Sequence, residues 1–178
     1  LRGLPRKLNN VLNECFVSLL RGSLQKLNIR GMKKLIPPFL FLICIILMVL
    51  IRNVIVIEKI IPQPYNYLGI ILLLLGIVMT IKVRKLFNKI ETEIHTFKKP
   101  RKLVTNGLFK FSRNPIYLGF LISLLGVWVL LGTMLPILGC VLFILITNYW
   151  YISYEENEME KQFGAEYREY KSRVNRWI

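Results

Sequence analysis

Apolar residues gather into four long blocks separated by short polar stretches. The blocks run from about Leu35 to Ile57, Tyr65 to Val83, Ile116 to Gly132, and Met134 to Ser153. Each is long enough, or nearly so, for a helix across a bilayer, which takes about 20 residues. Arg52 and Asn53 narrow the fully apolar part of the first block to Leu35–Ile51. Only Gly132-Thr133-Met134-Leu135-Pro136 separates the third block from the fourth, which predicts a tight hairpin with no soluble loop. Gly119, Ser123 and Gly126 recur at i, i+4 and i+7 in the third block, and Gly69 and Gly76 share a face of the second. Small faces of this kind let membrane helices approach closely, so helix packing is the expected use. The pattern predicts an all-α, polytopic membrane helix bundle with about four transmembrane helices.

Composition agrees. Of the 178 residues 54% are hydrophobic, and the mean hydropathy is +0.47, above the usual range of soluble domains. The net charge of +15 raises the question of nucleic acid. Its distribution answers differently, because the basic residues flank the apolar blocks, where they act as topology signals and anionic-lipid contacts. Arg2, Arg6, Lys7, Arg21, Lys26, Arg30, Lys33 and Lys34 precede the first block. Arg84, Lys85, Lys89, Lys98, Lys99, Arg101, Lys102, Lys110 and Arg113 fill the connection between the second and third. The other side carries only Arg52 and Lys59. The positive-inside rule then predicts both termini and the 84–114 connection in the cytoplasm. Membrane lipids are expected partners and nucleic acid is not.

Residues 1–31 are a separate segment. Leu8, Val11, Leu12, Cys15, Phe16, Leu19 and Leu20 repeat at three- and four-residue spacing opposite Arg6, Asn9, Asn13 and Arg21. That is the pattern of an amphipathic helix lying on a membrane surface. An equally open reading starts the protein at Met32 and makes the preceding residues an upstream extension. No short apolar core followed by a small-residue cleavage site marks a signal peptide. Cys44 and Cys140 lie inside apolar blocks and Cys15 stands apart, a spacing that predicts neither a metal site nor a disulfide framework. His95, in the basic connection, reads as a solvated loop residue rather than a base.

Two polar constellations remain. Arg113-Asn114-Pro115 stands at the lip of the third block. Asn is a favoured N-cap and Pro suits the first helical position, so a helix start explains these residues without any function. The other is Glu155-Glu156, where the fourth block leaves the membrane, followed by Glu158 and Glu160 on what reads as a solvated helix face. Gly164 predicts a helix stop, after which Tyr167, Tyr170, Val174 and Trp177 predict a short amphipathic helix at the interface. Ionisable groups at a membrane mouth are a functional hypothesis by default, and two carboxylates facing a basic connection form a candidate polar site.

The segments Leu103-Val104-Thr105-Asn106-Gly107-Leu108-Phe109, Arg113-Asn114-Pro115-Ile116-Tyr117, Glu155-Glu156, Phe163-Gly164, Glu166-Tyr167 and Tyr170 carry a resemblance in their order and spacing. Over residues 98–178 the chain resembles the isoprenylcysteine carboxyl methyltransferase family and its phospholipid methyltransferase relatives. Residues 35–83 resemble that family only as a pair of spans, and the resemblance makes 32–178 one membrane methyltransferase domain. It implies a cytoplasmic cofactor-binding region towards the C-terminal end of the fold, with S-adenosyl-L-methionine as methyl donor. Carried across by position, the implied cofactor contacts are Arg101, Lys102, Leu103, Val104, Phe109, Asn114, Pro115, Ile116, Tyr117 and Glu155. A carboxylate such as Glu155 suits a ribose diol, and the aromatic faces of Tyr117 or Phe109 suit a sulfonium cation. The implied acceptor is hydrophobic or lipid-linked, entering between spans. No catalytic residue is assigned, since methyl transfer chiefly demands alignment.

The chain departs from the family pattern at three points. Asn114 stands where a His is usual, and Asn175-Arg176 where Pro-Arg is usual. Tyr151 occupies the position of an arginine that in prenylcysteine enzymes contacts the substrate carboxylate, which makes it a candidate acceptor contact and weakens the case for a prenylcysteine carboxylate. An NADPH-dependent membrane reductase of the sterol reductase type and a non-catalytic membrane scaffold are the competing readings.

Overall fold

The computed structural model describes residues 37–55, 58–90 and 102–178. The amphipathic segment 1–31, His95 and Arg101 lie outside the described residues. The described chain is helical: α1 (Pro37–Val54), α2 (Leu68–Ile90, entered through a 3-10 turn at Tyr65–Tyr67), α3 (Pro115–Leu131), α4 (Ile137–Ile146) and α5 (Ser153–Arg173). A π-helical turn, Thr147–Ile152, joins α4 to α5 without a break. Among the described residues three helical stretches are long and apolar enough to cross a membrane: Pro37–Val54, Tyr65–Lys89 and Ile137–Arg173. The fourth predicted span, α3, is a shorter apolar helix of 17 residues. The length and apolar composition of these helices fit an integral membrane protein.

The helix ends follow the sequence signals. Pro115 is the first residue of α3, and Gly132 closes that helix in the left-handed conformation (φ 69°), its N–H donating to Trp128 O at 3.1 Å. Pro136 then starts α4, giving the predicted hairpin. Gly132 O also accepts from Ile60 N (2.8 Å) and Ile61 N (3.1 Å), and Asn66 Nδ2 donates to Leu130 O (3.2 Å). These bonds tie the α1–α2 connection to the α3–α4 turn, at the end of the bundle away from the polar constellations. Helix α2 runs seven residues beyond the predicted Val83, and the helix of the fourth span does not stop at Ser153 but continues beyond the apolar block as the polar α5.

Packing explains the small residues. Helices α2 and α3 run along each other, with Gly69 against Gly126 and Gly76 against Gly119 and Ser123. A Cβ at Gly76 would overlap the Gly119 carbonyl and the Ser123 side chain, so the two backbones meet directly. Ser123 Oγ donates across the contact to Leu73 O at 3.3 Å. Helix α1 joins through Phe41, stacked on Phe120 at 4.9 Å, and Phe120 meets Phe143 of α4 edge-on at 6.3 Å. The opposite faces stay exposed and apolar, among them Phe39, Ile46 and Leu50 of α1 and Ile71, Leu74 and Leu75 of α2, as lipid contact requires. Replacing Gly76 with Leu is expected to cost at least the upper end of the roughly 1–3 kcal/mol typical of overpacking. A melting temperature in detergent equal to that of the parent would refute this crossing.

Candidate functional site

The basic end of α2, the start of α3 and the start of α5 meet at one end of the bundle, and the polar residues sit there. Residues 102–114 cross this end between α2 and α3. Val104 and Phe109 turn inward and join Val83, Tyr167 and Tyr170 in a buried cluster, with Leu103 and Ile116 packed against it. Phe109 meets Phe87 edge-on at 5.5 Å, and its carbonyl accepts from the buried Tyr170 hydroxyl at 2.7 Å. The sequence predicts Tyr167, Tyr170, Val174 and Trp177 as an interfacial helix, and the structure corrects this. Gly164 breaks α5 with φ 52°, as expected of a stop, but the helix resumes and carries Tyr167 and Tyr170 into the protein interior. Val174 is already extended. The two rings find protein partners because the 103–109 segment presents an apolar face that the linear pattern does not reveal.

Burial pushes both phenols up to about 12, helped at Tyr167 by the Glu156 charge and opposed by Arg113. Their protonated form therefore favours the folded state. That contribution is complete below about pH 10, the ordinary tyrosine value, and is lost as pH rises towards 12. Stability should fall across that window in the parent and less steeply in Tyr167→Phe. Parallel profiles, followed by tryptophan fluorescence in detergent, would count against burial as the cause.

Asn114 occupies the cap position of α3 with its backbone, since Leu118 N donates to Asn114 O at 3.0 Å. Its side chain does not cap the helix, contrary to the expectation from residue type. Nδ2 donates instead to Arg176 O at 3.0 Å, across 62 residues of sequence. Ser112 Oγ accepts from Asn114 N at 3.1 Å and donates weakly to Arg176 O at 3.4 Å. Arg113, expected at the interface for its charge, is folded inward with 9% of its side chain exposed. Its Nη1 lies 3.0 Å from Glu156 Oε1, close enough for ion pairing though not aligned as a hydrogen bond, and its Nε is buried without a partner.

The two carboxylates of the pair separate in role. Glu156 is 6% exposed and holds Arg176 in a fork, with Nε to Oε1 at 3.1 Å and Nη2 to Oε2 at 2.5 Å, while Lys171 stands 4.0 Å away. Arg176 Nη1 also donates to Asn148 Oδ1 at 2.9 Å. Glu155, half-buried, accepts from the buried Tyr117 hydroxyl at 2.9 Å. The Tyr117 ring lies nearly parallel to that of Tyr151 at 6.3 Å, inside the π turn. Such turns recur at functional sites because the extra residue re-aims side chains. Here the turn carries both Asn148 and Tyr151.

Of the residues singled out from sequence, Asn114, Pro115, Tyr117, Tyr151 and Glu155 cluster around the start of α3. Val104, Phe109 and Ile116 belong to the adjoining apolar cluster, and Lys102 is exposed at its edge. Sequence reasoning missed Ser112, Asn148 and the inward role of Arg176. The only hint was Arg176 itself, inside a motif that departs from the family form.

A family model described as phospholipid methyltransferase matches residues 65–166, which takes in α2 to α4 and both polar constellations. The chain belongs to the phospholipid methyltransferase family. Its relatives in that family differ in what their names say they act on. A methanethiol S-methyltransferase of Bradyrhizobium diazoefficiens is 37% identical over 82 residues, 44% of this chain and 27% of the relative. A probable protein-S-isoprenylcysteine O-methyltransferase of Oryza sativa is 30% identical over 114 residues, 62% of this chain and 59% of the relative. An uncharacterized protein of Haemophilus influenzae is 44% identical over 63 residues, its whole length and 35% of this chain. The chain thus spans less than two thirds of the methyltransferases it matches. No solved structure matches it.

Proposed function

We propose that this chain is an integral membrane methyltransferase that takes its methyl group from S-adenosyl-L-methionine and passes it to a hydrophobic or lipid-linked acceptor. The observation that carries this reading is the Tyr117–Glu155 hydrogen bond of 2.9 Å at the start of α3, beside the Tyr117–Tyr151 ring pair, within the family-matched region. A carboxylate and two aromatic faces fit a ribose diol and a sulfonium better than they fit a cofactor bearing several phosphates. In this reading Glu155 anchors the ribose, Tyr117 faces the cation, and Asn114 and the backbone of Pro115 and Ile116 border the ligand. The family resemblance adds Lys102, Leu103, Val104 and Phe109 as contacts, together with Arg101. Tyr151 lies on the acceptor side.

When bound, the donor supplies an electrophilic methyl group. The chain's part is to hold it in line with the acceptor and to keep water out, which supplies much of the rate of a direct displacement. A carboxylate acceptor needs no base, whereas an amine or thiol must lose a proton. The lysine and arginine bias favours the cytoplasmic side for the site and both termini. An acceptor of lipid character then arrives sideways between helices while the water-soluble donor arrives from the cytoplasm.

The test is calorimetric titration of the detergent-purified chain with S-adenosylhomocysteine and, separately, with NADPH. Saturable binding of the first alone is the expected result. Binding of NADPH alone would make the protein a reductase. Binding of neither, with salt-sensitive association to anionic vesicles, would leave it a scaffold.

A further inference from the structure

The chain leaves α5 extended at Val174, and Asn175 and Arg176 return to the start of α3. Three bonds join them: Arg113 N to Asn175 O at 3.0 Å, Asn114 Nδ2 to Arg176 O at 3.0 Å, and Ser112 Oγ to Arg176 O at 3.4 Å. The carbonyl that receives the Asn114 amide belongs to a residue whose side chain is held on two sides. Glu156 grips one edge of the guanidinium, and Asn148 of the π turn takes Nη1. Held at its guanidinium by Glu156 and Asn148 and at its carbonyl by Asn114 and Ser112, Arg176 is fixed at both ends.

We infer that Arg176 is a positioning residue for the donor site: its clamp by Glu156 and Asn148 fixes its carbonyl, and that carbonyl sets the orientation of the Asn114 amide. The inference rests on the donor-site reading above and adds a residue remote from that site in sequence. It also accounts for two geometric facts together. Asn114 forgoes the helix cap that its residue type favours, and Arg176 is held by two different segments of the chain. The sequence Arg176→Asn114→ligand is a relay of orientation, without proton or electron movement.

The experiment is a double-mutant cycle in S-adenosylhomocysteine affinity, by calorimetry on the full chain in detergent, using the parent, Arg176→Ala, Asn114→Ala and the double variant. Misplacement of a contacting group by a fraction of an ångström is expected to weaken binding about tenfold in Arg176→Ala. The double variant should bind no more weakly than Asn114→Ala, because the two residues act through one contact. A general structural role would instead give losses that add, or a lowered melting temperature with affinity retained, and either result overturns the inference. Asn148→Ala guards against loss of fold, since it leaves the Glu156 fork in place. It should weaken binding at an unchanged melting temperature, and parent-like affinity in it would overturn the inference. A parent that does not bind S-adenosylhomocysteine overturns the donor reading itself. A parent that binds, with Arg176→Ala equal to it, overturns only the positioning role.

Discussion

Glu156→Ala is expected to destabilise the protein by about 3–5 kcal/mol, the usual cost of breaking a buried ion pair from one side. The carboxylate is 6% exposed and answers Arg113, Arg176 and Lys171. Without it, Arg113 keeps its charge with 9% of the side chain in contact with solvent and with Nε already lacking a partner. Glu156→Gln retains the shape and some hydrogen bonding and should lose less. Replacing Glu156 with Leu and Arg113 with Met together should recover only part of the loss, because it removes the most buried charge but leaves Arg176 without its fork. The contrast is with Glu158 and Lys161, which meet at 2.8 Å on an exposed surface. Pairs of that kind contribute about 0–1 kcal/mol. Melting in detergent separates the cases, and a Glu156→Ala variant that melts with the parent would show that the cluster is not a structural clamp.

Glu155→Ala, one residue away, is expected to behave in the opposite way. Its carboxylate is half-buried and accepts from the Tyr117 hydroxyl, whereas that of Glu156 is buried, so truncation is expected to cost less stability than Glu156→Ala. Affinity for S-adenosylhomocysteine should fall by at least about a hundredfold, since hydrogen bonds from neutral hydroxyls to a charged acceptor are each worth about 1.5–3 kcal/mol and a ribose offers two. Tyr117→Phe keeps the aromatic face and removes the hydroxyl that orients Glu155, so a smaller loss is expected there. Parent-like affinity in Glu155→Ala would move the donor site elsewhere. The neighbouring carboxylates thus make a matched pair, in which one variant loses the fold and the other loses the ligand.

That division of labour was not legible in the sequence. Glu155 and Glu156 are adjacent on a helix and so point about 100° apart, which says only that they face different surroundings. Which of them meets Arg113 and Arg176 depends on how α3 and the 174–177 segment pack against α5. Asn114 illustrates the same limit. Its residue type and the proline after it correctly mark the start of α3, yet its amide reaches a carbonyl 62 residues away instead of its own helix.

By itself the sequence determined the membrane-spanning helices, the hairpin between α3 and α4, the break at Gly164 and the small-residue faces of α2 and α3. Each depends on the residues of one segment: an apolar run long enough for a bilayer, a glycine and a proline at a turn, small side chains on one helical face. Tertiary structure decided the burial of Tyr167 and Tyr170, the inward turn of Arg113, the two ties on Arg176 and the separate roles of Glu155 and Glu156. The π turn that carries Asn148 and Tyr151 belongs with these, because it rests on a one-residue shift in hydrogen bonding that no residue type announces. Periodicity reports which face of a helix is apolar, whereas a buried polar group must be satisfied by whatever partner the folded chain brings within about 3 Å, and that partner can lie anywhere in the sequence.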